Sequence, residues 1–214
     1  MPVFELSEDL IFPPVDLAEP DGLLAYGGDL SEERLLLAYS EGIFPWYDEP
    51  PILWWSPDPR FVLFPKDLKI SASMKQVLKK GIFTITVNKN FPAVIAGCRK
   101  VPRPGQNGTW ITRDVEKAYI SLHEAGYAHS VECWQEDKLV GGFYGIQLGT
   151  SFFGESMFSL VSNASKAAFI TFVQYAAGKG ITLIDCQVYS DHLASLGAGM
   201  IPRKEFLRII RQAQ

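Results

Sequence analysis

Cysteine and histidine are both scarce in this chain: its 214 residues hold three of each. Cys98, Cys133 and Cys186 are far apart, so they offer neither a disulfide framework nor paired thiolate spacing, and their usage suits a reducing cytoplasm. Three histidines, His123, His129 and His192, leave a zinc site short of its usual ligands. No apolar run approaches the roughly 18 to 20 residues of a membrane-spanning helix. The opening Met1-Pro2-Val3-Phe4-Glu5 lacks the basic start and apolar core of a signal peptide. No glycine-rich phosphate loop follows an expected strand: Gly27-Gly28 has no P-loop lysine, and Gly141-Gly142 lies inside an apolar run. Repeats and low-complexity tracts are also absent. The expectation is a cytoplasmic protein without metal or cofactor.

What is present is ordinary in bulk and uneven in charge. Hydrophobic residues make up 47% and charged residues 21%, the balance of a soluble globular chain with enough length for a sizeable core. The net charge of −4 hides three regions. Residues 1–65 carry 2 basic and 13 acidic side chains, a net of −11. Residues 66–117 carry 11 and 3, a net of +8, and the remainder is close to neutral. An acidic protein with one basic stretch can bind a polyanion locally while its bulk repels it. The alternative is an unevenly charged solvated surface.

The pattern along the chain reads as α/β. Residues 1–20, with Pro13, Pro14 and Pro20, read as an extended lead-in, and 22–31 as a turn-rich loop. Ser31 reads as the cap of a helix over Glu32–Ser40 that Gly42 ends. The next stretch is dense in aromatic residues, Ile43-Phe44-Pro45-Trp46-Tyr47 and Leu53-Trp54-Trp55-Ser56-Pro57-Asp58-Pro59-Arg60. Its prolines argue against a helix or a central strand. It is either a packed minor core or a stacking platform for bases. A strand is expected at Phe61–Pro65, a helix at Ser71–Lys80, a strand at Phe83–Val87, a helix at Phe91–Arg99, a loop at Val101–Gly108 and a helix at Asp114–Ala125. Strands at Ser130–Gln135, Leu139–Gln147 and Thr150–Gly154 follow, then a helix over Asn163–Gly178 and a buried strand over Thr182–Val188. Short helices at Ser190–Leu196 and Lys204–Arg211 close the chain. Two units are expected: a small lobe over 1–62, and a mixed α/β domain over 63–214 whose element order is that of a GNAT-type acyltransferase core.

Two carboxylates stand in apolar runs: Glu155 in Phe152-Phe153-Gly154-Glu155-Ser156-Met157-Phe158, and Asp185 in Leu183-Ile184-Asp185-Cys186-Gln187-Val188. Burying an unpaired carboxylate costs several kcal/mol or raises its pKa. Each is therefore either paired or in use, as a general base or as a hydrogen-bonding group for an amine. On a regular strand Asp185 and Gln187 share a face, with Cys186 turned away. Cys186 sits among apolar neighbours, which counts against a nucleophile. His192 on a short helix reads as structural.

The chain resembles the leucyl/phenylalanyl-tRNA–protein transferases over nearly its whole length. The resemblance is carried by Gly22–Ala25 with Gly27–Ser31, Gly42–Trp46, Leu53–Arg60, Gly108-Thr109-Trp110-Ile111-Thr112, Gly154–Ser159, Asn163–Lys166, Ile184–Val188 and Ala194–Ala198. It implies an enzyme that moves Leu or Phe from aminoacyl-tRNA to the N-terminal Arg or Lys of a protein, marking that protein for degradation. It implies a GNAT-like domain that takes an aminoacyl ester in place of acetyl-CoA. By the same resemblance, Trp46, Trp110, Tyr39 and Tyr119 surround the terminal adenosine, and Lys75, Lys79 and Lys80 contact acceptor-stem phosphates. Phe143, Phe152, Met157, Phe169, Phe172 and Ile184 line the aminoacyl pocket. Asp185 orients Gln187, whose side-chain oxygen accepts a proton from the attacking amine, with direct action by Asp185 as the alternative. Glu155 binds the cationic N-terminal residue or its amino group. The partners are aminoacyl-tRNA and acceptor proteins, and a monomer suffices.

Two other readings compete. A conventional acyl-CoA N-acyltransferase needs a pyrophosphate-binding turn before a helix, and Leu160–Ser165 has none. A non-catalytic RNA-binding module accounts for the basic stretch and the tryptophans, but not for two carboxylates and a glutamine in apolar strands.

Overall fold

The computed structural model of the chain describes residues 3–101 and 110–212. The loop expected at Val101–Gly108 lies, apart from Val101, outside the described residues, as do Gly108 and Thr109 of the Gly108–Thr112 stretch. Among the described residues there are two β-sheets, flanked by helices on both faces of the larger one.

The smaller sheet has the order β1-β2-β4-β3, with β1 Phe4–Leu6, β2 Leu23–Gly27, β3 Phe44–Pro45 and β4 Leu53–Trp55. Two expectations change here. The 22–31 stretch holds a strand, β2, and Leu53–Trp55 is a central strand with β2 and β3 on its two sides. The prolines of this stretch argue against a central strand. They flank the three residues that need ladder donors, and Pro45 lies on the edge strand, where a missing N–H costs little. Ser31 caps helix α1 (Glu32–Ser40) by accepting from the Arg34 N–H.

The larger sheet has the order β11-β5-β10-β9-β8-β7-β6. It comprises β5 Arg60–Leu63, β6 Thr84–Val87, β7 Ala128–Gln135, β8 Lys138–Leu148, β9 Ser151–Ser159, β10 Leu183–Gln187 and β11 Gly199–Ile201. β9 and β10 run parallel, joined by the crossover helix α5 (Ala164–Gly178), and the other pairs are antiparallel. This is the hairpin, strand, helix, strand order expected from the sequence. β9 extends five residues past the expected Gly154 end. Helices α3 (Phe91–Lys100) and α4 (Arg113–Glu124) pack on one face, with the small lobe. Helices α2 (Ala72–Lys79) and α5 pack on the other. The strands alternate between these two cores. Tyr144, Ile146 and Phe153 face the first, Phe143 and Phe152 the second. The glycines of β8 have a packing reason: a Cβ on Gly145 would lie 2.3 Å from the Phe153 carbonyl oxygen.

The first core runs through both units. Leu24, Tyr39 and Trp54 of the small lobe join Tyr119, Tyr144 and Phe153 of the larger. The aromatic stretch is therefore mostly packed core: Trp54, Phe44 and Tyr47 are buried, and Trp46 keeps 38% of its surface exposed. Helices α6 (Asp191–Ala194) and α7 (Arg203–Gln212) complete the chain.

Candidate functional site

Each of the two carboxylate-bearing strands is irregular where its carboxylate stands. In the β8–β9 ladder Tyr144 faces Ser156 and Gly145 faces Gly154, so Glu155 is the extra residue of a bulge. In the β5–β10 ladder Val62 faces Asp185 and Phe61 faces Gln187, so Cys186 is extra, and Gln187 follows in the left-handed region at φ +62°. A bulge re-aims the side chains around it. The strict alternation expected of Asp185 and Gln187 is thus replaced by a bulge and a turn. The β9–β10 pairing stops at Phe153 and Asp185. Beyond that point the strands part, and a cleft of about 520 Å³ opens between them.

Glu155 and Gln187 lie on opposite sides of this opening and meet: Gln187 Nε2 donates to Glu155 Oε1 at 3.0 Å. Glu155 Oε2 accepts from the Tyr119 hydroxyl at 3.1 Å, and the Tyr119 and Tyr39 hydroxyls share a short hydrogen bond. Burial pushes the Glu155 carboxyl up from an ordinary value near 4.5 to about 8, with the Asp185 charge adding to it. The tyrosine hydroxyls and Arg60 pull the other way. Both tyrosines are themselves pushed well above their usual range, first by burial and then by the Glu155 charge.

Asp185 is fully buried and paired. Arg60 Nε donates to its Oδ1 at 2.8 Å and Nη2 to its Oδ2 at 2.7 Å. The same Oδ1 accepts the backbone N–H of Gln187 at 2.9 Å. Both carboxylates flagged by the sequence are therefore satisfied, in different ways: one by an ion pair, one by neutral donors.

Of the six expected pocket residues, Phe143, Met157, Phe169 and Ile184 line the cleft. Phe152 and Phe172 do not. They form the layer behind, their rings 4.6 Å apart and respectively 6.2 and 5.3 Å from Phe143. The cleft's lining also has polar members, Ser159, Ser165, Ser190 and His192. His192 Nε2 is buried without a hydrogen-bond partner, and burial, then the Lys166 charge, hold the ring below its usual pKa. Cys186 lines the cleft too, but burial keeps its thiol far above the usual range, which removes it as a nucleophile.

The four aromatic residues assigned to the adenosine are divided. Tyr39 and Tyr119 are fully buried beneath Glu155. Trp110 is buried in the shared core, and Trp46 is exposed, its ring 5.8 Å from that of Trp55. Lys75, Lys79 and Lys80 are all exposed on or just after α2.

Arg60 is the site residue that sequence reasoning missed. The signal was present: a fully buried Asp185 needs a cation, and Arg60 is one of only two basic residues in the first 65.

Comparison with known proteins places these observations in a family. Residues 62–211 match the sequence model described as leucyl/phenylalanyl-tRNA protein transferase, and residues 28–58 match the model of that family's N-terminal domain. A leucyl/phenylalanyl-tRNA–protein transferase of Syntrophus aciditrophicus is 56% identical over 214 residues, covering 100% of this chain and 90% of that protein. One from Flavobacterium johnsoniae is 56% identical over 210 residues, covering 98% and 99%. Among solved structures, FemX superposes with a TM-score of 0.50 at 11% identity, over 85% of this chain and 71% of that one, a likeness of fold alone. Among the described residues, no helix is long and apolar enough to cross a membrane.

Proposed function

The chain belongs to the leucyl/phenylalanyl-tRNA–protein transferase family, and we propose that its cleft is where the aminoacyl ester meets the acceptor amine. The enzyme transfers Leu or Phe from aminoacyl-tRNA to the N-terminal Arg or Lys of a protein, marking it for degradation. The observation that carries the assignment of the site is the joining of Glu155 and Gln187 in the lining of a cleft of about 520 Å³.

The donor's side chain enters between Phe143, Met157, Phe169 and Ile184, where apolar surface and an adaptable Met suit both Leu and Phe. Phe152 and Phe172 hold that wall from behind. The terminal adenosine lies against the small lobe, with Trp46 offering the exposed ring and Trp55 beside it; Trp110, buried in the shared core, supports this region from within and does not stack on the base. The acceptor stem runs over Lys75, Lys79 and Lys80, within the stretch of net charge +8.

The acceptor's α-ammonium binds at Glu155 by a charge-assisted hydrogen bond. The Gln187 side-chain oxygen, left over because its nitrogen is on Glu155, accepts an amine N–H and aims the nitrogen lone pair. An amide oxygen orients a proton without holding it. Glu155, raised to about 8, matches the ordinary range of an α-amino group and holds the proton as the amine attacks. The C–N bond forms at the ester carbonyl and the bond to the ribose oxygen breaks; Glu155 passes the first amine proton to that oxygen, then takes the second proton that the nitrogen sheds as the amide forms and releases it to solvent. No cofactor or metal enters this scheme.

The division into a lobe over 1–62 and a catalytic domain over 63–214 belongs to this reading; the two sheets support a division with its boundary before Arg60, since β5 Arg60–Leu63 lies in the larger sheet. A cytoplasmic monomer completes it.

The test is transfer of radiolabelled leucine from Leu-tRNA to two peptides that differ only at residue one, Arg or Ala, with acetyl-CoA in parallel. Label on the Arg peptide alone supports the reading. Acetylation without leucine transfer overturns it.

A further inference from the structure

We propose that Arg60 is a positioning residue of the transfer reaction: it clamps Asp185, which in turn holds the Gln187 backbone in the turn that presents its side chain to Glu155. This rests on the reading of the cleft given above.

The clamp leaves the guanidinium no freedom. It is 1% exposed, and all three of its nitrogens donate: two to Asp185 and Nη1 to the Gly42 carbonyl at 3.2 Å. Its carbon lies 4.7 Å from the ring centroids of both Phe44 and Phe206, each a cation–π contact. Gly42 itself is confined, since a Cβ there would come within 2.7 Å of Leu207.

The other end of the chain of contacts is Gln187. A non-glycine residue at φ +62° persists where its surroundings over-determine it. Here the determinant is Asp185 Oδ1, which accepts the Gln187 N–H and the Arg60 Nε–H together. With both carboxylate oxygens engaged and no exposed surface, Asp185 does not reach an incoming amine. Its task is the turn. The geometry at the catalytic strand is thus set partly by Gly42 and Phe44 of the small lobe and by Phe206 on the last helix.

Lysine keeps the charge but lacks the planar fork that fits a carboxylate on two sides. Arg60→Lys therefore tests positioning apart from charge. A double variant, Arg60→Met with Asp185→Asn, leaves no charge buried unpaired and separates folding from catalysis. Measurements are kcat, KM for Leu-tRNA and for an Arg-initiated peptide, and the melting temperature, with wild type in parallel. Expected for Arg60→Lys is a fall in kcat of about 100-fold, the order a displacement of about 1 Å produces. KM for Leu-tRNA stays within about twofold of wild type, as for a group that acts on the transition state and not on binding. The double variant melts near wild type and keeps the low kcat.

Wild-type kcat in Arg60→Lys, recovery of turnover in the double variant, or a loss confined to KM would each overturn the proposal. So would failure of both variants to fold, which would make Arg60 a folding residue only. Failure of the family reading is distinguishable, because the wild-type control would then transfer no leucine.

Discussion

The Gln187 amide nitrogen donates to Glu155 Oε1 at 3.0 Å, and that one bond decides which end of Gln187 remains for substrate. It also joins two strands that have stopped pairing with each other. The proton inventory of the site is therefore shared by a glutamine that orients and a carboxyl that titrates.

The titration has a sign. The folded-state pKa of Glu155 lies at about 8, above its ordinary value near 4.5. Its contribution to stability is fully present below about pH 4.5 and is lost as pH rises through about 8, where the native state must ionise a desolvated carboxyl. Urea unfolding at a series of pH values checks this: Glu155→Gln should flatten that decline. In turnover the direction reverses, since the base must be ionised. Leucine transfer should rise with pH toward 8, and Glu155→Gln should lower it by about 10²- to 10⁴-fold.

Tyr119→Phe removes a donor that pulls the Glu155 pKa down. The alkaline rise in transfer rate should move to higher pH in this variant. A pH–rate profile that stays in place would remove the tyrosine from the site.

Asp185→Ala leaves Arg60 buried without its partner. A broken buried pair costs about 3–5 kcal/mol, so the variant should unfold at lower denaturant. Turnover should fall strongly while Leu-tRNA binding, read by filter retention, stays nearly intact. Normal turnover would refute the role given to this carboxylate.

Phe169 lines the cleft, and Phe172 stands behind it. Phe169→Ala should enlarge the pocket and raise transfer of Phe relative to Leu. Phe172→Ala should act first on stability, by about 3–5 kcal/mol for an aromatic ring taken from a packed layer. Competition assays with mixed aminoacyl-tRNAs, beside thermal melts, separate the two.

Lys75→Ala with Lys79→Ala removes two exposed cations from α2. If each contacts a phosphate of the acceptor stem, the slope of log affinity against log salt falls by about 2. An unchanged slope would take this helix out of the tRNA site.

Much of this protein is written in local patterns. Ser31 and the acidic pair behind it mark a helix start because a cap and a dipole act within one turn. The alternation along β7, β8 and β9 marks a sheet with two covered faces, because a pleat has a period of two. Glu155 and Asp185 stand out for the same local reason: a carboxylate in an apolar run must be answered by something. What answers it is not local. Arg60 lies 125 positions from Asp185, and Tyr119 lies 36 from Glu155. No periodicity relates such pairs, and only packing two units around one core brings them together. The bulges at Glu155 and Cys186 are also tertiary, since a ladder's register depends on the strand opposite. Local patterning alone marks which residues have to be accounted for. The tertiary structure decided that one carboxylate is locked by an arginine and the other is left to titrate, because counter-charge and desolvation are properties of a place in the fold.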